Sequence, residues 1–295
     1  MWWWSLPALG APELASERVD GPLDARFRGG DGAALSLLVV GEHDGQVGPC
    51  GCSTVPRGGL PRLATAVAAR RADDPTPELL LHAGNWLSAA TDADVLTRAA
   101  VEADLRMHAA IGRLPFDALN TTLRDLPTIA LGPHPGMLCA NVTGHGQPVL
   151  AAKRFDRAGH RVVVAGVSAP GLVHLQPAGT TWEDPVRSLE RVSRLPGDVV
   201  VVLAYDLSDR IEDLAAAGAV DVVVDAGAWQ GVWEPRAVGD TVVVRSTPAG
   251  ASLLELRLWL TDGRVTRAVQ RTVPLDAAIP DDPFVAAGAP PRRAD

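Results

Sequence analysis

From residue 34 onward, short apolar runs alternate with helical stretches, and this alternation limits the possible folds more than any other feature. Ala34-Leu35-Ser36-Leu37-Leu38-Val39-Val40 reads as a buried strand, as do 78–82, 116–120, 137–142, 199–204 and 220–225. Between them the pattern predicts helices over 60–71, 92–111, 182–195 and 208–217, the last closed by Gly218. Pro61 falls in the first turn of its helix, where a missing N–H costs nothing, and Asp92 and Asp94 suit the positive end of theirs. Strands this continuously apolar need cover on both faces, so the sheet must be parallel or mixed, with helices on its faces. Hairpin patterns are added at 151–156 with 161–165 around Arg157-Ala158-Gly159, at 241–246, and at 251–260 with 264–272. From 241 onward they predict a second sheet packed on the first. The expected fold is α/β, a four-layer αββα sandwich over 31–295.

Residues 1–30 read as a separate N-terminal segment. Met1 to Pro12 is apolar with small residues but lacks a basic start, so a degraded export signal and a loosely packed segment are both open. The stretch ending in Arg28-Gly29-Gly30-Asp31-Gly32 reads as a linker. No apolar run reaches the ~18 residues of a membrane helix. The net charge of -8 argues against a nucleic-acid partner, which would want a basic face. With 3 Cys the chain is not a disulfide scaffold, but Cys50 and Cys52 stand at i and i+2.

In sheets of this kind function collects in loops beyond the carboxyl ends of strands, here 41–59, 83–90, 121–127, 205–209 and 225–233. Four stretches resemble the metallophosphatase domain of the 5'-nucleotidase family, within the calcineurin-like phosphoesterases. Gly58-Gly59-Leu60-Pro61-Arg62-Leu63-Ala64-Thr65 is similar to that family's helix start, and Leu79-Leu80-Leu81-His82-Ala83-Gly84-Asn85 to its LLLDAGD strand end. Phe116-Asp117-Ala118-Leu119-Asn120 resembles the approach to its GNHE signature, and Pro274-Leu275-Asp276 with Ile279-Pro280-Asp281-Asp282-Pro283 its closing segment. The resemblance covers roughly 34–288 and leaves no sequence for the family's separate nucleotide-binding domain. Gly48-Pro49-Cys50-Gly51-Cys52-Ser53 and Thr122-Leu123-Arg124-Asp125-Leu126 resemble a narrower branch with a Pro-Cys-Gly-Cys motif and a GERDL-like string.

The resemblance implies a metallophosphoesterase sandwich holding two divalent cations, Mn or Zn, that polarise a phosphate and generate hydroxide. It also implies where the ligands should be. The first pair falls on Glu42 and Asp44, the bridging acid on Asn85, the Asn-His pair on Leu123 and Arg124, the lone His on Tyr205, and the GHTH string on Asp225-Ala226-Gly227-Ala228. Most ligand types are replaced, so a conventional dinuclear centre is not expected. Glu42, Asp44 and Asn85, with His43 and His82 near them, form at most a residual metal set. A guanidinium at position 124 takes the space and charge of a cation and still grips a phosphate or carboxylate. Arg124 and Asp125 are the candidate catalytic residues.

The Cys-Gly-Cys stretch offers separate chemistry. Cys50 and Cys52 on glycine-rich backbone suit a strained disulfide, a soft-metal site, a low-pKa thiolate, or plain loop filling. Cys139 reads as a buried filler. Tyr205 and Trp229 are candidate ligand-binding residues, the latter stacking on a base or sugar or packing its loop. Three functions follow: an impaired member of this fold binding a small phosphorylated molecule or an envelope protein, an active phosphomonoesterase with a substituted site, or an envelope redox accessory. The expected location is the periplasm or cell envelope, with the cytoplasm as the alternative.

Overall fold

The Leu35–Val40 strand is buried along its whole length, and its two faces lead into different layers. Leu35, Leu37 and Val39 enter an apolar cluster with Val162, Val164, Val201 and Leu203 of the opposing sheet. Leu38 and Val40 face the other way, onto Leu60, Leu63, Val67 and Met107 of two helices. This is the period-2 alternation of a strand, used to build two cores at once. A third cluster places Val163, Ala165, Val200 and Val202 against Leu189, Ile211 and Leu214 on the far side of the second sheet. The layers therefore run helix, sheet, sheet, helix. The computed structural model describes residues 11–19, 30–49, 55–87, 97–170, 177–217, 220–227 and 234–287.

The first sheet has the order Glu13–Arg18, Arg264–Pro274, Ser252–Thr261, Leu35–Val40, Glu78–His82, Ala118–Asn120, Met137–Leu138. The second runs Arg236–Val238, Thr241–Arg245, Val222–Ala226, Asp198–Tyr205, His160–Ser168, Ala152–Arg157. Both have parallel centres, so their loops gather at one end. Asn120 ties the sheets there: its amide nitrogen lies 3.2 Å from the Ala83 carbonyl and 3.0 Å from those of Val167 and Leu203.

Several expectations need correction. The last hairpin extends the first sheet, and the second sheet is built instead from strands between 152 and 245. Glu13–Arg18 is a strand parallel to Arg264–Pro274, not part of a linker. The 137–142 run splits into Met137–Leu138 and Val142–Thr143, the latter pairing with Thr181–Trp182. That pairing removes Trp182 from the predicted helix, which shortens to Pro185–Glu190 behind an Asp184 N-cap. The 92–111 helix is described as Arg98–Ile111, with the Thr97 hydroxyl accepting from the Ala100 N–H; Asp92 and Asp94 lie outside the described residues. Gly218 lies outside them as well.

At the other ends of the strands, charge is buried. Arg257 Nε lies 2.7 Å from Asp31, and its Nη1 contacts Asp74 and lies 3.1 Å from Glu255. Arg70 Nε reaches the same Glu255 oxygen at 3.2 Å. Against burial, hydrogen bonds from Thr76 and the Arg257 guanidinium hold the Asp74 carboxyl down to about 2.

Candidate functional site

Four non-glycine residues that follow the parallel strands have left-handed backbone: Glu42 (φ 60), Asp44 (φ 48), Asn85 (φ 56) and Asp206 (φ 56). Such residues are uncommon and concentrate where a site over-determines the backbone. The first two loops are laced together. Glu42 N–H donates to Gly84 O at 2.9 Å, Asp44 N–H to Asn85 O at 3.1 Å, and Gly45 N–H to Trp86 O at 3.0 Å. Gly84 has φ +126, and a Cβ there would lie 2.7 Å from Thr122 Cγ2 and 3.2 Å from the Tyr205 ring.

His43, between the two left-handed acids, is turned into the core. Its Nδ1 lies 2.9 Å from His82 Nε2. Gly84 N–H donates to His82 Nδ1 at 3.2 Å, so the His82 proton is on Nε2 and is given to His43. The His43 proton is then on Nε2, which is buried with no hydrogen-bond partner among the described residues. Burial lowers the His43 pKa to about 4, and burial with the neighbouring imidazole lowers that of His82 well below its usual value. Both rings stand neutral behind the site.

Asp125 is fully buried. Its Oδ1 accepts from the Trp86 and Leu87 N–H groups at 3.0 and 2.9 Å, and its Oδ2 from the N–H and hydroxyl of Thr122 at 2.7 and 2.8 Å. It pins the Asn85 loop to the Thr122 turn. Burial pushes its carboxyl up to about 7 against the pull of these donors. The neighbouring Arg124 is half-buried, and its guanidinium acts electrostatically on Asp44, Tyr205 and Asp206. Burial raises the pKa of Asp44 and Asp206, and Arg124 opposes the rise in both.

Tyr205, the single Tyr of the chain, ends the Asp198–Tyr205 strand. Its ring is wedged between Gly84 and Gly227, either of whose Cβ atoms would stand 3.2 Å from it. Burial raises its pKa, so the phenol stays protonated. Beyond it, Arg245 Nε holds Asp225 at 2.9 Å, and Ser208 Oγ lies 3.0 and 3.1 Å from the two Asp225 oxygens. Glu42 Oε1 accepts from Gly227 N–H at 3.0 Å and from the Ser246 hydroxyl at 3.3 Å, and burial raises its pKa.

The structure thus brings together Glu42, Asp44, Asn85, Arg124 and Tyr205, while Asp125 serves as the pin behind them. Cys50, Cys52 and Trp229 lie outside the described residues. Sequence reading missed Asp206, Arg245 and Ser246. The left-handed Asp206 directly after an apolar strand is a signal open to inspection; the Arg245 partnership, formed across two strands, is not. A cavity of about 600 Å³ lies at the opposite strand ends, with its Arg194 and Asp221 paired.

No family model matches the sequence, and no curated protein does. Solved structures do share the fold. The sulfate thiohydrolase SoxB of Thermus thermophilus, in complex with glycerol, is similar with TM-score 0.69 and 16% identity over 87% of this chain and 59% of that one. A 5'-nucleotidase precursor, also from Thermus thermophilus, is similar with TM-score 0.64 and 19% identity over 86% and 57%. The calcineurin-like phosphoesterase YfkN of Bacillus subtilis is similar with TM-score 0.62 and 16% identity over 87% and 95%. The fold is that of the metallophosphoesterases, and the chain spans a little under three fifths of the first two of these structures.

Glu42 is engaged by an N–H and a hydroxyl, Asp225 is neutralised by Arg245, His43 faces the core, and Arg124 brings a positive charge to Asp44 and Asp206. Among the described residues no group of three or more His, Cys, Asp or Glu is placed to hold a metal ion. Nor is any helix among them long and apolar enough to cross a membrane.

Proposed function

We propose that this chain is a divergent, 5'-nucleotidase-like member of the metallophosphoesterase fold, catalytically impaired, whose strand-end crevice binds a ligand or partner without a dinuclear metal centre. The observation that carries this reading is the Asp225 carboxylate, which Arg245 Nε holds at 2.9 Å and Ser208 Oγ meets at 3.0 and 3.1 Å. A fixed side-chain cation supplies the charge balance that a metal otherwise gives, and repels a divalent ion from the same space. Asp125 positions Arg124; Tyr205 and Trp229 contribute to ligand binding; Cys50 and Cys52 are the reactive element. A small phosphorylated molecule or an envelope protein is the class the resemblance suggests, with a periplasmic or cell-envelope location. The test is metal analysis of purified protein together with turnover of p-nitrophenyl phosphate and nucleoside monophosphates. Less than one equivalent of metal and no brisk hydrolysis support it; two equivalents and brisk hydrolysis overturn it.

One observation favours a second reading, an active phosphomonoesterase with a residual metal site. Asn85 Oδ1 is buried with no hydrogen-bond partner among the described residues, and its backbone is bonded to that of Asp44. An oxygen in that state suits a cation. Under this reading added Mn²⁺ or Zn²⁺ raises activity and Asp44→Ala abolishes it.

A further inference from the structure

The Glu42 carboxylate reaches from the first sheet to the second. Its Oε1 accepts from the Gly227 N–H at 3.0 Å and from the Ser246 hydroxyl at 3.3 Å. These donors follow Val222–Ala226 and Thr241–Arg245, parallel neighbours in the second sheet. An N–H and an O–H converging on one anionic oxygen are what a protein uses to hold an oxyanion. Here the anion is the chain's own. Both donors are fixed by backbone. Ser246 is buried, and its N–H donates to Asp225 O at 2.9 Å. Gly227 has φ +89, and a Cβ there would lie 2.8 Å from Asp206 N, so only glycine suits the position. Glu42 is held less comfortably. It is a non-glycine residue at φ 60, and burial of its carboxyl raises its pKa.

Asp225, two residues before Gly227, is already paired with Arg245, whose Nε lies at 2.9 Å. Asp206 and Asp209 are exposed, where water screens them, and Asp44 and Arg124 are half-buried and of opposite charge. Resting on the reading of the crevice as a metal-free binding site, we propose that the Gly227 N–H and the Ser246 hydroxyl form the oxyanion subsite for the phosphate of its ligand, with Glu42 as a built-in competitor. In the free protein the Glu42 carboxylate fills the subsite. An incoming phosphate oxygen takes both hydrogen bonds, and the displaced carboxylate regains water. The exchange is one anionic oxygen for another, so Glu42 sets the concentration at which a phosphorylated ligand is held.

The test is calorimetric titration of inorganic phosphate into purified, metal-analysed protein at pH 8 and fixed ionic strength. Glycine suits the left-handed backbone at position 42, so Glu42→Gly is expected to fold. It should bind phosphate about tenfold more tightly than wild type, the effect of freeing two donors for a charged acceptor. Ser246→Ala in that background should remove the gain. Asp209→Asn deletes an exposed charge of the same sign and should shift affinity by no more than about threefold. Circular dichroism and melting temperature check each fold. Should Glu42→Gly unfold, Glu42→Gln takes its place, and phosphate binding there no tighter than in Asp209→Asn counts against the proposal. Phosphate binding in Glu42→Gly no tighter than in wild type, an equal gain in Asp209→Asn, or a gain that survives Ser246→Ala overturns it and leaves Glu42 as a clasp between the sheets. Two equivalents of bound metal with brisk hydrolysis would instead remove the reading beneath it, so the two failures are told apart on the same preparation.

Discussion

The imidazoles of His43 and His82 share one hydrogen bond, Nδ1 to Nε2 at 2.9 Å, and both are buried with no carboxylate paired to them among the described residues. Each must therefore stay neutral in the folded state, whereas in the unfolded chain a His takes a proton near pH 6.5. The folded pKa of His43, about 4, lies below the unfolded value, so the unfolded state binds more protons between these limits. Stability contributed by the neutral ring is complete above about pH 6.5 and is lost as pH falls toward 4. Between pH 7.5 and pH 5, urea unfolding of the wild type should lose roughly 1–2 kcal/mol relative to His43→Gln, in which the other titrating groups, Asp125 among them, remain. An equal pH dependence in both proteins would place His43 in water.

Asp125 accepts from four donors, and an amide in its place would aim an NH₂ at N–H or O–H groups. Asp125→Asn is expected to destabilise the fold by about 1–3 kcal/mol. The denaturation midpoint measures this. Equal stability would mean the loop finds other partners.

Arg257 is buried among Asp31, Asp74 and Glu255. Removing the cation alone strands several acids, so Arg257→Met should cost about 3–5 kcal/mol. Limited proteolysis would reveal the same loss as faster cleavage, while a wild-type pattern and melting temperature would argue that the cluster is dispensable.

Gly84→Ala places a methyl 2.7 Å from Thr122 Cγ2 at φ +126, where an L side chain is strained. The Tyr205 ring must move to admit it. A loss of about 2 kcal/mol or more is expected from overpacking and backbone strain together. Melting temperature and urea unfolding measure it, and an unchanged midpoint would mean that the Thr122 and Tyr205 side chains yield freely.

Burial pushes the Cys139 thiol up to about 12. In reduced native protein a thiol reagent should therefore titrate Cys50 and Cys52 quickly and Cys139 only after denaturation. Three fast thiols would contradict the burial of Cys139. None would reduce the Cys-Gly-Cys stretch to loop packing.

The sequence was most legible where burial is uniform. Strands such as Glu78–His82 and Asp198–Tyr205 lie within a residue or two of where their apolar runs put them, because each is packed on both faces. It was least legible where partners are distant. Nothing local in Trp182 says that it pairs with Val142 in a two-stranded ribbon instead of starting a helix. Glu13–Arg18 has a mostly exposed, polar pattern and is a strand only because Arg264–Pro274 presents a free edge.

The candidate site divides in the same way. By itself the sequence pointed to an αββα sandwich through its alternating apolar runs, though it assigned the last hairpin to the wrong sheet. The family resemblance marked Glu42, Asp44, Asn85, Arg124 and Tyr205 as candidates in the strand-end loops. Only the tertiary structure decided the condition of the groups around them: His43 turned inward, Asp125 consumed as a pin, and Asp225 neutralised by Arg245. The reason is physical. Burial pattern is written along one chain segment, whereas the charge state and pairing of a side chain depend on segments that meet only after the sheets have packed.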